Sequence, residues 1–199
     1  MVNGRAKGNK YENDICFALS KWLAPQYTPD TASVYDLPFR RRSTSIMPSE
    51  GHWNGTGDIL HKPLSGIVCP FSIECKKRES WELDGMFNGE KWPVWQWWQQ
   101  AGEQAEKGGL VPLMIFSRNR RENLVMLYER DALCLGVSPA TGPLVRVERP
   151  RDVLKPPVVI VSLPSLVTVS LTAVVELANK NTRQQKSISR TSRGSSGKS

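Results

Sequence analysis

Asp58, Glu74 and Lys76 are the residues whose types and spacing point to shared chemistry. They lie in the stretch GDILHKPLSGIVCPFSIECKK, from Gly57 to Lys77. Glu74 and Lys76 are two positions apart, so on a strand they share a face. Carboxylates from neighbouring strands suit Mg²⁺, a hard cation that keeps several waters and needs few protein ligands. Such a cation can neutralise a phosphate and make a water nucleophilic. The Lys76 ammonium would lean over the same face, to offset phosphate charge and to orient or help deprotonate the attacking water. An acid and a lysine at this spacing also arise as an exposed ion pair. The triplet alone leaves that alternative open.

The elements around these residues favour the chemical reading. From Ile67 to Lys76 the odd positions Ile67, Cys69, Phe71, Ile73 and Cys75 are apolar, whereas Ser72, Glu74 and Lys76 are even. A strand is expected there, with one face in the core and one carrying the site. Pro70 interrupts it, which predicts a bulge or an unpaired edge. Asp58 to Leu60 and Val34 to Phe39 are expected strands, with the loop from Ser43 to Thr56 between them and free to close over a substrate. A helix over Lys10 to Leu23 follows from apolar residues at Tyr11, Ile15, Ala18, Leu19, Trp22 and Leu23, with Pro25 ending it. Glu12 borders that stripe and can reach the same site. Residues 1–9 are expected to be loose. Trp95 to Lys107 is expected to be a helix, Val111 to Phe116 and Leu124 to Tyr128 strands, Glu129 to Leu135 a short helix, and Val158 to Leu163 a strand. The stretch Leu166 to Leu177 fits strand or helix equally.

Composition narrows the partners. The 199 residues carry a net charge of +8. Residues 180–199 hold Lys180, Arg183, Lys186, Arg190, Arg193 and Lys198 and no acid, so +6 sits there and +2 on residues 1–179. A basic tail of this kind suits a polyanion such as nucleic acid, or is a solvated disordered end. Basic clusters also bracket the acids: Arg5, Lys7 and Lys10 before the first helix, Arg40, Arg41 and Arg42, then Lys76, Lys77 and Arg78, and Arg118, Arg120 and Arg121. Phosphate contacts position a protein without reading sequence, and no recognition helix or zinc finger is evident. The cysteines Cys16, Cys69, Cys75 and Cys134 have no C-x-x-C spacing, so zinc is not expected and they read as thiols of a reducing compartment. No apolar run is long enough to span a bilayer, and MVNGRAKGNK lacks an apolar signal core. Trp92, Trp95, Trp97 and Trp98 read as core or interface before base stacking. His52 and His61 flank Asp58, but a lone histidine is seldom a ligand. The terminal GSSGKS lacks the strand and helix of a phosphate loop.

The order of motifs resembles the PD-(D/E)XK nuclease superfamily, and within it the archaeal-type Holliday junction resolvases and related small phage endonucleases. GRAKGNKYENDI resembles their opening segment, GDI the metal-binding aspartate motif, and IECKK the E-x-K strand. WWQQAGEQAEKGGLVPLMIFSRNRRENLVML resembles the helix and strands that follow in phage members. The resemblance covers roughly residues 4–135. Gly57 stands where many members have proline, and the span from Asp58 to Glu74 is long. The resemblance implies an α/β, restriction-endonuclease-like core with a central mixed sheet flanked by helices. It implies Asp58, Glu74 and Glu12 as ligands of Mg²⁺ or Mn²⁺, all three with Lys76 as the catalytic set. Gln100 falls where some members place a glutamine, although an exposed helix glutamine explains it equally well.

The expected organisation is a nuclease-like core over residues 1–135, a C-terminal extension over 136–179 and a disordered basic tail over 180–199. The expected activity is metal-dependent hydrolysis of DNA phosphodiesters, with four-way junctions as substrate. A restriction- or repair-type nuclease acting on linear duplex or flaps is the alternative, and a non-catalytic basic DNA-binding protein is the alternative of another class. Arg5, Lys7, Lys10, Arg40, Arg41, Arg42, Lys77 and Arg118 are the expected DNA contacts. A homodimer follows from the resemblance, because two opposed strands must be cut. The expected setting is cytoplasmic, in the host cell if the chain is phage-encoded, with no membrane partner and no small-molecule substrate.

Overall fold

The computed structural model describes residues 4–27, 37–42, 54–62, 69–79, 93–148 and 156–194. In chain order these form helix α1 (Gly4–Leu23), strands β1 (Phe39–Arg41), β2 (Ile59–His61) and β3 (Phe71–Arg78), helix α2 (Pro93–Gly108), and strands β4 (Val111–Arg118) and β5 (Leu124–Tyr128). Helix α3 (Glu129–Cys134), strands β6 (Leu144–Val147) and β7 (Val158–Ser162), and helices α4 (Leu163–Leu166) and α5 (Leu171–Gly194) complete them. These strands join one sheet in the order β1-β2-β3-β4-β5-β7-β6. Among the described strands only β3 and β4 run parallel, joined through α2, as a parallel pair requires a crossover. The result is an α/β fold with a mixed sheet flanked by helices, the restriction-endonuclease-like architecture.

Helices cover both faces of this sheet. On one face Ile73, Leu113, Ile115, Val125 and Val161 pack with Tyr11, Ile15 and Leu19 of α1 and Leu177 of α5. On the other Met114, Phe116, Met126 and Ile160 pack with Val94, Trp95 and Trp98 of α2. The face of β3 expected to carry the site is roofed by α2, and Phe71 through Cys75 are all buried. Trp95 and Trp98 are core residues, Trp98 meeting Tyr128 edge-on at 5.1 Å. Trp92 lies outside the described residues.

Several boundaries differ from expectation for physical reasons. α1 begins at Gly4, because Lys7 is tied to Glu79 and Asn9 to Arg41, and these contacts order a segment of weak propensity. β1 begins at Phe39 and includes Arg40 and Arg41, paired with Leu60 and Ile59. Charged residues are at home on such an edge strand, and Val34 to Asp36 lie outside the described residues. Pro70 makes no bulge. It precedes the first residue of β3, and its carbonyl accepts from Val111 N–H at 2.8 Å. β6 and β7 extend the sheet beyond residue 135.

The tail expected to be disordered from Lys180 is helical to Gly194. Val174, Leu177 and Ala178 bury one side of α5, and Asn181 Nδ2 donates to Gly109 O at 2.8 Å. Gln185 donates to the same carbonyl. These anchors continue a helix through a segment whose Lys, Arg and Gln content already favours it.

Candidate active site

The site is assembled where β2, β3, α1 and α2 meet. Asp58 sits in the turn that opens β2. Its N–H donates to Ile73 O at 2.7 Å, and its carbonyl accepts from Arg42 N–H at 2.6 Å. Its side chain is fixed as well, because Oδ2 accepts from Cys75 N–H at 2.8 Å. Gly57 makes this approach feasible: a Cβ there would stand 2.1 Å from Ile73 O. The same fact accounts for the absence of proline before the aspartate, since proline too carries a Cβ. Thr56 extends the tie through a hydroxyl–hydroxyl bond to Ser72 at 2.8 Å.

Glu74 lies on the adjacent strand and is 1% exposed. Its Oε1 stands 2.6 Å from Lys76 Nζ. Neither carboxylate oxygen has a well-directed hydrogen bond, so the pair is electrostatic and Oε2 is left without a partner. Lys76 Nζ donates to Gln100 Oε1 of α2 at 3.2 Å. Lys76 and Gln100, separate candidates in the sequence, are thus brought together.

Glu12 is half-buried on α1 and feels the same charges. Its carboxyl is pushed up to about 7, first by burial and then by repulsion from Asp58, with Arg41 opposing, Glu74 adding and Lys76 opposing. Burial, then Asp58, also raises Glu74, and Lys76 works against the rise. The acids raise one another despite Lys76 and Arg41 nearby, and the buried Glu74 carboxylate without a directed hydrogen bond is a place where a divalent cation would help. The donor set is carboxylate oxygen, which suits a hard divalent ion. Among the described residues, no three His, Cys, Asp or Glu side chains already close into a metal cage. Asp58 and Glu74 would hold the ion, with Glu12 alongside.

The basic residues are distributed unevenly. Lys7 pairs with Glu79 at 2.9 Å, Lys77 lies over the Tyr11 ring 5.0 Å from its centroid, and Arg42 donates to Gly55 O at 2.9 Å. Arg41 donates to Asn9 Oδ1 at 3.4 Å and works against the rise of the Glu12 carboxyl. Its guanidinium therefore lies near Glu12, a neighbour that spacing alone did not reveal. Lys10 is exposed, Arg40 half-buried, and Arg118 ends β4 opposite Arg78. The side chain of Arg5, His52 and the loop from 43 to 53 lie outside the described residues. His61 is buried on β2 against Phe39, and burial pushes it down to about 4. Its ring packs in the core, where burial favours the neutral form.

Comparison with known proteins identifies a relative and a family. Protein D14 of Escherichia phage T5 is 28% identical over 78 residues, which is 39% of this chain and 49% of that protein. The match therefore spans about half of that relative's length. No solved structure matches. The family profile described as "Phage putative PDDEXK endonuclease" matches residues 3–149, nearly three quarters of the chain. With Asp58, Glu74 and Lys76 meeting inside that span, the chain belongs to the phage PDDEXK endonuclease family.

Proposed function

We propose that this protein is a divalent-metal-dependent DNA endonuclease that hydrolyses phosphodiester bonds, acts on four-way junctions and works as a homodimer. The observation that carries the metal dependence is Glu74, a buried carboxylate with an unpartnered oxygen, set among Asp58, Glu12 and Lys76. A non-catalytic DNA-binding protein gains nothing from acids placed where phosphate must come. Mg²⁺ or Mn²⁺, when bound, would supply phosphate charge neutralisation and a more acidic water.

The residues of the chain do the rest. Asp58 is locked by the Cys75 N–H and cannot swing away. Glu74 is held at low dielectric, where a charge acts strongly. Gln100 aims the Lys76 ammonium, which orients the attacking water and offsets charge on the phosphate oxygens. The motif order resembles junction resolvases, and the basic side chains suit phosphate contact over base reading.

The test is to incubate the protein with a labelled four-way junction, linear duplex, flap and single strand, in Mg²⁺, Mn²⁺ or EDTA. Glu74→Gln and Lys76→Ala proteins serve as controls. Paired cuts on the junction alone, lost in EDTA and in both variants, are the expected result. Equal cutting of linear or flap DNA would retain the nuclease and remove the junction preference. Binding without metal-dependent cutting of any substrate would overturn the proposal.

A further inference from the structure

We propose that the C-terminal half of α5 is a DNA-binding arm that grips the backbone beside the active site. The inference rests on the reading of the chain as a DNA nuclease, and it assigns a partner to a segment outside the family match. Lys180, Arg183, Lys186, Arg190 and Arg193 follow at intervals of three, three, four and three residues, with no acid among residues 180–194. Helical geometry gathers positions at such spacing on one side. Asn181 and Gln185 occupy a different side, and both donate to Gly109 O. At about 100° per residue, the basic side and the anchoring side are separated by roughly 150°. The anchor therefore leaves Arg183 and Lys186 exposed on the side away from Gly109.

The anchor also locates the arm. Gly109 has φ +62, and a Cβ on it would meet the Gln185 amide. Its neighbour Gly108 abuts Thr56, which precedes Gly57 and Asp58. The basic helix thus springs from the corner that supports the metal-binding turn. Residues 180–194 make a rod of about 22 Å. Duplex DNA carries a charge every ~1.7 Å of axis, so such a rod can face several phosphates. A membrane surface is disfavoured, because an interfacial helix needs a broad apolar face. From Lys180 to Gly194 the one large apolar residue is Ile188.

The test compares binding of a labelled duplex by the full chain and by an Arg183→Gln, Lys186→Gln, Arg190→Gln, Arg193→Gln variant, both in a Glu74→Gln background with EDTA. Lys180 is spared because its ammonium is held by Cys134 Sγ at 3.0 Å. Four lost phosphate contacts should make the slope of log affinity against log salt shallower by about 3 to 4, with affinity at low salt down at least tenfold. A second variant, Arg183→Lys, Arg190→Lys, Arg193→Lys, keeps the charge and should keep the slope, which guards against simple misfolding. A glutamine variant with an unchanged slope and an unchanged melting profile would overturn the arm. So would tight binding to phosphatidylglycerol vesicles, lost in the same variant, with DNA binding intact. Cleavage by the unmodified chain in Mg²⁺ is read separately. A clear slope difference without cleavage supports the arm and removes the nuclease reading.

Discussion

Lys76 stands between an ion-pair partner, Glu74 Oε1 at 2.6 Å, and a hydrogen-bond acceptor, Gln100 Oε1 at 3.2 Å. The first supplies charge and the second supplies direction. Gln100→Leu should therefore leave the fold intact and let the ammonium wander. A hydrogen bond to a charged group contributes about 1.5–3 kcal/mol, so kcat should fall by about tenfold to a hundredfold with KM little changed. A matching rise in KM with constant kcat would instead make Gln100 a DNA contact. Glu74 supports a second expectation, about stability. Its rise in pKa is dominated by burial, so an amide of the same shape is cheaper to bury than the carboxylate. In EDTA at pH 8, Glu74→Gln should be more stable than the parent by about 1–2 kcal/mol. Added Mg²⁺ or Mn²⁺ should raise the melting temperature of the parent and not of the variant. A variant less stable than the parent in EDTA would mean that Glu74 is structural.

At the scale of elements, two glycines separate requirement from tolerance. A Cβ on Gly57 would penetrate the backbone of β3, 2.1 Å from Ile73 O, and backbone cannot swing aside as a side chain can. Gly57→Ala should cost about 3 kcal/mol and displace Asp58, read as a lowered melting temperature and lost cleavage. Gly8, inside α1, has nothing within 4 Å of the place a methyl group would occupy, and Gly8→Ala should stabilise by about 0.5–1 kcal/mol. If both substitutions behave alike, the close approach at Gly57 is not what positions Asp58. The period-two pattern of β3 was legible in the sequence, because strand alternation is local. So was α2, expected over Trp95 to Lys107 and found over Pro93–Gly108. The roof over Glu74 was not legible, because burial of the even face depends on where α2 packs back across the sheet. Nor was the length of α5, since Asn181 and Gln185 read as tail until Gly109 is placed beside them. The basic spacing in that segment was visible, but spacing without an anchor does not fix a helix in water.

For the whole molecule, covering both sheet faces puts titratable groups at low dielectric, and this gives global stability a definite pH dependence. His61 is 7% exposed, paired through its backbone with Asn54 and packed against Phe39. Its folded pKa is about 4 against an ordinary 6.5. Between those values the unfolded chain binds the extra proton, so stability is full above about 6.5 and is lost as pH falls towards 4. The whole shift corresponds to about 3 kcal/mol. Glu12 works in the opposite direction, because its folded pKa of about 7 lies above the ordinary 4.5 and makes the folded chain the better proton binder in that window. The pH profile of the parent alone is therefore a difference of two effects. His61→Leu isolates one of them. Urea unfolding in EDTA at pH 4.5 and 7.5 should show that the variant loses about 2 kcal/mol less than the parent on acidification, whatever its absolute stability. Parallel losses in the two proteins would mean that the ring takes its proton in the folded state, and hence that the β1–β2 edge opens to water before the rest of the sheet does.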